Sequence, residues 1–267
     1  MPGVPDPLYV RARSALLDAL DALQPHLDAV VLVGAQAVYV HTGNADVGGA
    51  EYTTDADFSI SPSELADSPI LGDLLAAHGF TPREHPGGWL SPSGIYIDLM
   101  VPEALAGPGT RGARLGTHGK RAARRAKGLE GATVDRDRSV VAALEPTDRR
   151  ETEIWVAGPG ALLVAKVHKI AERVGTVDRV RDKDALDVLR LLRAVDTGFL
   201  ADRLSLLGAT PVSARVTAEA IDQLPLLFGS TSAEGVRMAV RAAGPDESPA
   251  TIASSLVSLT RDLLDSL

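Results

Sequence analysis

The pattern of apolar residues changes near Gly158, and this change constrains the fold more than any other feature of the sequence. Before it, short apolar runs rich in β-branched residues, such as Ala29–Val33 and Ile95–Val101, are typical of buried strands. After it, the spacing of apolar residues is helical to the end of the chain. The sequence therefore predicts an α+β protein, with a sheet and flanking helices over residues 1–157 and an all-helical half over residues 158–267.

Other elements of the first half follow from local signals. The leucine spacing of Tyr9–Leu23 predicts an amphipathic helix, and Ala56–Ile60 alternates as a strand does. Ser61, with Glu64 three residues later, has the form of a capping box. We therefore expect a helix that begins at Ser61 and runs towards His78.

Composition excludes several classes of site and location. The chain contains no cysteine, which rules out disulfides, thiolate metal sites and a cysteine nucleophile. It has no run of about twenty apolar residues and no secretory signal pattern, so we expect a cytoplasmic protein that does not enter a membrane. Its net charge of -8 argues weakly against nonspecific binding to nucleic acid.

Three aspartates on predicted strands are candidate metal ligands. Asp55 and Asp57 lie two residues apart, so both side chains leave the same face of the strand. Adjacent carboxylates repel unless a cation lies between them, and Mg²⁺ or Mn²⁺ prefers such hard oxygen ligands. Asp98 lies inside the apolar run Ile95–Val101, where an unpartnered carboxylate would be costly to bury. An Asp-x-Asp pair is also common at turns, and a lone strand aspartate is often simply salt-bridged.

A glycine precedes these aspartates at the end of the first predicted strand. In Val31-Leu-Val-Gly-Ala-Gln-Ala37, Gly34 lets the backbone approach a phosphate closely. The helix that follows would present free N–H groups to the anion. Glycine at a strand-to-helix turn can equally have a purely steric reason. The polar, glycine-rich residues of Thr42–Thr54 predict a loop before the aspartates.

Together these residues resemble the pattern of the DNA polymerase β-like nucleotidyltransferase superfamily. That pattern is a Gly-Gly or Gly-Ser turn, a downstream Asp-x-Asp and a third aspartate on a later strand, matched here by Gly34-Ala35, Asp55-Ala-Asp57 and Ile97-Asp98-Leu99. Ala35 replaces the usual second glycine or serine. Thr53-Thr-Asp-Ala-Asp57 is further similar to the AbiEii-like branch, which includes type IV toxin–antitoxin toxins and the MenT toxins.

The resemblance implies a nucleotidyltransferase-type mixed sheet and a transfer reaction that uses a nucleoside triphosphate and Mg²⁺ or Mn²⁺. The carboxylates of Asp55, Asp57 and Asp98 would be catalytic and would hold the metal. The nucleotide would contact the chain at two places, Gly34-Ala35 and Thr53-Thr54.

The helical half extends the resemblance. Lys166, Lys169 and Arg173 share one face of a predicted helix over Ala161–Arg173, and Lys183-Asp-Ala-Leu-Asp187 follows. This is similar to the AbiEii-like signature of a lysine helix followed by Lys-Asp-x-x-Asp. The resemblance makes Lys166 the lysine that meets the triphosphate. It makes Asp184, with Asp187 as a second candidate, the aspartate that orients the lysine or the acceptor. Without the three upstream aspartates, a solvated charged face would explain these residues equally well.

The acceptor is the least determined part of the hypothesis. A basic segment favours tRNA or another RNA, since its cations could bind phosphates; its members are Arg111, Arg114, Lys120, Arg121, Arg124, Arg125 and Lys127. As an AbiEii-like toxin the protein would also have a cognate antitoxin. Two alternatives stay open: a transferase for antibiotic-type small molecules, which the acidic net charge permits, and a catalytically silent nucleotide-binding module.

Overall fold

The computed structural model describes residues 6–43, 53–174, 179–245 and 247–267. Within these ranges the protein has one eight-stranded mixed sheet with flanking helices, followed by a C-terminal half that is entirely helical. The predicted α+β class is confirmed.

All eight strands lie in the first half. The strands are β1 Val30–Val33, β2 Asp55–Ile60, β3 Thr81–Pro82, β4 Gly88–Leu90, β5 Tyr96–Pro102, β6 Arg124–Ala126, β7 Arg136–Ala142 and β8 Glu151–Ala157. The helices are α1 Pro7–Ala22, α2 Gly34–Thr42, α3 Leu71–Ala77, α4 Pro159–Ala171, α5 Arg179–Ala194, α6 Thr197–Ala209, α7 Ala214–Phe228, α8 Glu234–Ala242 and α9 Pro249–Asp265.

The strand order in the sheet is β3-β4-β5-β2-β1-β8-β7, and β6 pairs with the C-terminal end of β5. Three pairs are parallel, namely β1 with β8, β2 with β5 and β5 with β6. The other four pairs are antiparallel. β1 lies near the centre, which explains why all four of its residues are apolar and buried. Helix α1, capped by the Asp6 carboxylate, packs against β2 and β8.

The chain forms two compact units. The first contains the described residues up to Gln36, those from Thr53 to Ala126, and Arg136–Ala157; it holds the whole sheet. The second contains α4 to α9, beginning at Gly158. It also includes α2 from Ala37 onward and Lys127–Asp135, which a division of the sequence at 157/158 does not anticipate.

The predicted helix from Ser61 towards His78 is wrong over most of its length. Only Leu71–Ala77 is helical. Pro69 lies inside the predicted helix, where it has no N–H to donate and its ring clashes with the preceding turn. Glu64 does not complete a capping box, because its carboxylate pairs with Arg136 at 2.6 Å.

Three strands carry little sequence signal and were not predicted. β3 has only two residues, and β6 and β7 are mostly polar; all three lie at the edges of the sheet. By contrast, β8, which extends over Glu151–Ala157, contains the short apolar run Ile154–Val156. Most of the predicted loop Thr42–Thr54, residues 44–52, lies outside the described residues. No helix in the described ranges is long and apolar enough to cross a membrane.

Asp135 determines where the helical half begins. Its carboxylate accepts a hydrogen bond of 2.9 Å from the N–H of Ala161 in the first turn of α4, and it is almost completely buried. A Cβ at Gly158 would collide with this carboxylate, which explains the glycine that precedes the helix. Burial raises the pKa of Asp135, although the backbone donors and Arg203 oppose the shift.

We predict that Asp135→Ala lowers the free energy of unfolding by about 1–2 kcal/mol, because the first turn of α4 loses its capping acceptor. Urea unfolding followed by circular dichroism measures this change. Asp137→Ala is the matched control, since Asp137 is exposed two residues away. Equal stability of the two variants would contradict the capping role.

Candidate active site

The pairing of β2 with β5 brings the predicted aspartates onto neighbouring strands. The two strands are parallel, and their register sets Asp57 directly beside Asp98 and Asp55 beside Tyr96. Residues paired in this way direct their side chains to the same face, with strands about 4.8 Å apart. Asp55 lies two residues from Asp57 and so shares that face. All three carboxylates therefore leave one face of the sheet from two adjacent strands.

The row that contains Asp57 and Asp98 continues across the sheet in both directions. Val33 at the end of β1 pairs with Asp57, and Gly88 in β4 pairs with Asp98. Gly34, which follows Val33 and begins α2, has a φ of +71°, a conformation that favours glycine. A Cβ at Gly34 would also collide with the Asp57 carboxylate. The start of α2 and Asp57 are therefore in close contact.

A histidine occupies the other end of the row. A Cβ at Gly88 would collide with the ring of His85, so this ring lies over the glycine on the Asp98 side of the sheet. His85 Nε2 is 3.6 Å from one oxygen of Asp98. The row therefore runs from Gly34 through Asp57 and Asp98 to His85.

Each carboxylate has a different environment. Asp55 is exposed and accepts a hydrogen bond from the hydroxyl of Thr53. Asp57 is half-buried. Asp98 is 26% exposed; one of its oxygens faces His85, and the other lies 3.4 Å from the guanidinium of Arg124. Asp98 is thus held between two cationic or potentially cationic groups.

The three aspartates are of a type that binds a divalent cation, although their carboxylates do not converge on one metal position. Carboxylates are the ligands that Mg²⁺ prefers, and one or two of them are sufficient when a substrate supplies phosphates. Among the residues that the structure describes, no three acidic or histidine side chains are arranged so that they could hold one metal ion. The cause is visible at Asp98, whose oxygens face Arg124 and His85, and at Asp55, which faces Thr53.

A buried glutamine supports the start of β2. Gln36, in the first turn of α2, is 1% exposed, and its Nε2 donates 2.9 Å to the backbone carbonyl of Asp55. Its Oε1 accepts 3.0 Å from Arg13, which in turn donates to the Tyr9 hydroxyl. A buried polar side chain is stable only when such partners exist. This network ties Asp55 to α1 and α2.

The residues predicted to bind the nucleotide lie at the start of α2 and just before β2. Gly34 and Ala35 begin α2, next to Asp57. Thr53 is buried and Thr54 is exposed, and both directly precede β2.

Sequence reasoning missed three residues of this site. His85 belongs to a His-Pro-Gly-Gly run, where the glycines are the only signal of a close contact. Gln36 is a polar residue in an otherwise apolar turn, which is a signal for a buried hydrogen-bond network. Arg124 was grouped with the RNA-binding cations, but its guanidinium lies at Asp98.

The predicted lysine lies in the second unit, within a buried ion cluster. Lys166 Nζ is 2.6 Å from Asp184 and 2.7 Å from Asp187. Arg173 pairs with the other oxygen of Asp184, and Arg190 with that of Asp187, each at 2.7 Å. The contact between Lys166 and the later aspartates is the one that the resemblance implies for an orienting aspartate.

Attraction within this cluster outweighs the cost of burial. Burial by itself lowers the pKa of Lys166, but Asp184 and Asp187 together raise it above its usual value. Burial likewise raises the pKa of Asp184, but Lys166, Lys169 and Arg173 together bring it below its usual value. The lysine and aspartate are therefore both charged at neutral pH.

The basic segment divides into engaged and exposed cations. Arg111, Arg114 and Lys120 are exposed and form no ion pair with any described residue. The other four have partners. Arg121 donates to the carbonyls of Arg83 and Glu84, and Arg124 pairs with Asp98. Arg125 contacts the Gly107 carbonyl and Glu103, and Lys127 pairs with Glu219 at 2.7 Å. Only Arg111, Arg114 and Lys120 therefore have no ion-pair partner among the described residues and are candidates to bind an RNA backbone.

No protein-family model matches the chain, and neither a curated protein nor a solved structure matches it significantly. A functional assignment therefore depends on the residues and geometry of this chain.

We predict that Gly34→Ala destabilises the protein more than Gly94→Ala does. Both glycines have positive φ, so each alanine costs about 1–2 kcal/mol in backbone strain. Only at Gly34 does the new Cβ also collide with Asp57, whereas Gly94 has open space. Unfolding free energies from urea titration measure the difference. Adding Asp57→Ala should reduce the excess cost at Gly34, since it removes the carboxylate and leaves only the Cβ of residue 57 in close contact; an excess that does not fall at all would contradict the contact.

We also predict that Lys166→Met lowers the free energy of unfolding by about 3 kcal/mol at pH 7, because two buried carboxylates lose their shared cation. Lys169→Met, at a lysine 38% exposed and 3.4 Å from Asp184, should cost less than about 1 kcal/mol. Folding lowers the pKa of Asp184 from its usual value of 3.8. The stabilisation that its charged form supplies is therefore fully present above pH 3.8, and it is lost as the pH falls through the lower pKa of the folded state.

The difference in the free energy of unfolding between Lys166→Met and Lys169→Met should therefore become smaller in acid. Urea titrations at pH 7 and below pH 4 compare them. A gap that is absent at pH 7, or that widens in acid, would exclude the ion cluster as the cause.

Proposed function

We propose that the protein is a nucleotidyltransferase, which moves a nucleoside monophosphate from a nucleoside triphosphate to an acceptor hydroxyl. The observation that carries this proposal is the register that pairs Asp57 with Asp98 and sets Asp55 on the same face. Three carboxylates on one face repel one another, and a cation that they share would relieve the repulsion. The resemblance of the same residues to the polymerase β-like pattern supports the proposal independently.

The carboxylates of Asp55, Asp57 and Asp98 would hold Mg²⁺ or Mn²⁺. Such a cation neutralises phosphate charge and polarises the phosphorus that is attacked. Gly34 and Ala35 would direct the N–H groups of the first turn of α2 at the triphosphate. The close contact of Gly34 with Asp57 supports this role, because phosphate and carboxylate must approach the same cation.

In the proposed reaction the acceptor oxygen attacks the α-phosphorus in line with the leaving group. The new bond joins the acceptor oxygen to the α-phosphorus, and the bond from that phosphorus to the bridging oxygen of pyrophosphate breaks. Asp98 accepts the proton of the acceptor hydroxyl. Its partial exposure, between Arg124 and His85, leaves it reachable by a substrate.

The resemblance further assigns Lys166 a role towards the triphosphate, with Asp184 and Asp187 as its positioning residues. An ammonium group has three donors, and the two aspartates use two of them. The third donor is buried with the rest of the side chain, which is 5% exposed.

We propose RNA, and tRNA in particular, as the acceptor, with the protein acting as an AbiEii-like toxin that a cognate antitoxin controls. The exposed, unpaired cations of the basic segment support an RNA acceptor, since phosphate contacts supply most of the affinity for nucleic acid. A small-molecule acceptor would need no such surface.

We predict that Asp57→Asn reduces nucleotide transfer roughly a hundredfold or more, because the cation loses a charged ligand worth several kcal/mol. The assay incubates the protein with α-labelled nucleoside triphosphates, Mg²⁺ and total RNA, and follows label in RNA. Asp73→Asn is the matched control, since Asp73 is an exposed aspartate in the same unit.

Three results would revise the proposal in different ways. Full activity of Asp57→Asn would overturn the assignment of the carboxylates. Label only on a small molecule would favour the antibiotic-type transferase. Nucleotide binding without any transfer would favour the silent module.

A further inference from the structure

A small cavity lies beside His85, in the same unit as the three aspartates. Its volume is about 130 Å³. One water needs roughly 10–15 Å³ of such space, so the cavity has room for several waters. This suits a single phosphate-sized group and is well below the roughly 300 Å³ of pockets that enclose a whole ligand.

The fixed charges on the lining of the cavity are those of two arginines, and both are positive. Arg83, His85, His118 and Arg121 line it, and none of its nine lining residues, all of which are described, is acidic. Neither Arg83 nor Arg121 forms an ion pair with a described carboxylate. Uncompensated arginine charge at a small concave site attracts anions and binds phosphate through paired N–H groups.

The arginines are held in place by contacts that leave their charge unneutralised. Arg121 donates two hydrogen bonds of 3.0 Å to the backbone carbonyls of Arg83 and Glu84, which fixes the loop between β3 and β4. The guanidinium of Arg83 lies over the ring of Tyr96, 4.0 Å from its centre. Stacking of this kind orients the group and leaves the N–H donors at its edge available.

The two histidines of the cavity have different roles. His118 uses both ring nitrogens, with the N–H of Leu71 at 3.1 Å and the carbonyl of Ala66 at 2.8 Å, so it forms a wall. His85 faces Asp98 at 3.6 Å. The cavity therefore adjoins the end of the carboxylate row that is opposite to Gly34.

We infer that this cavity binds a phosphate group of the acceptor RNA, next to the hydroxyl that receives the nucleotide. The inference rests on the proposed function for the position of the reaction. The donor triphosphate would lie at Gly34, so an acceptor must reach Asp98 from the His85 side. Arg121 belongs to the same basic segment as the exposed Arg111 and Lys120, which could continue along the RNA backbone.

Inorganic phosphate is the probe, and Trp89 is the reporter. The chain has two tryptophans, and Trp89 lines the cavity. Trp155 lies in β8, and the guanidinium groups of Arg136 and Arg138 lie over its ring. Phenylalanine is the replacement because it keeps an aromatic ring for both arginines to stack on. In the Trp155→Phe protein, phosphate should cause a saturable change in Trp89 fluorescence that chloride at equal ionic strength does not cause.

Arg83→Gln in this background should weaken phosphate binding roughly tenfold or more, since it removes charged hydrogen bonds. Arg149→Gln is the matched control, because Arg149 is an exposed arginine of the same unit that does not line the cavity. Melting temperatures check that both variants fold. Absence of a saturable change, or equal binding by both variants, would overturn the site.

A second measurement separates this inference from the proposed function. Asp57→Asn should still bind phosphate although it no longer transfers nucleotide. In the transfer assay Arg83→Gln should raise KM for RNA more than it lowers kcat. If phosphate binding weakens while KM for RNA is unchanged, the acceptor role is wrong. If phosphate binds but the unmutated protein transfers nothing, the proposed function falls and the acceptor role falls with it.

Discussion

Parallel pairing of β2 with β5 in one register is the interaction on which the candidate site depends, because it alone sets Asp57 beside Asp98. Alternation within each strand keeps that register. In β2 the buried Ala56 and Phe58 alternate with the aspartates, and in β5 the fully buried Ile97 and Leu99 flank Asp98. A slip by one residue would turn carboxylates into the core and apolar side chains out of it, at a cost of several kcal/mol.

Close approach at both ends of the row depends on glycine. Gly34 admits the Asp57 carboxylate, and Gly88 admits the ring of His85. These positions bring a helix start to one side of the carboxylates and a histidine with a cationic cavity to the other. In the proposed function, the helix start would meet the donor triphosphate and the cavity would meet the acceptor.

The second unit buries charge in a different way. Lys166, Asp184, Asp187 and Arg190 are each at least nine-tenths buried, and three close contacts among them each join opposite charges. Such a cluster is stable only as a whole, because the removal of one member leaves another desolvated and unpaired.

Much of this protein could be predicted from local sequence. The apolar runs specify β1 and β5, the leucine spacing specifies α1, and the spacing of Asp55 and Asp57 alone sets both on one face. These predictions succeed because side-chain periodicity is a local property of helix and strand. Where a local signal was misjudged, as at Pro69, the predicted helix failed for an equally local reason.

Only the tertiary structure decided which strands are neighbours and what surrounds each carboxylate. Strand order follows from backbone hydrogen bonds between distant segments, and no local pattern records them. Arg124 therefore lies at Asp98 and not among the exposed cations, His85 lies over Gly88, and Gln36 holds the backbone of Asp55. The sequence by itself determined which residue types were available for a site, and the pairing of the sheet determined where they meet.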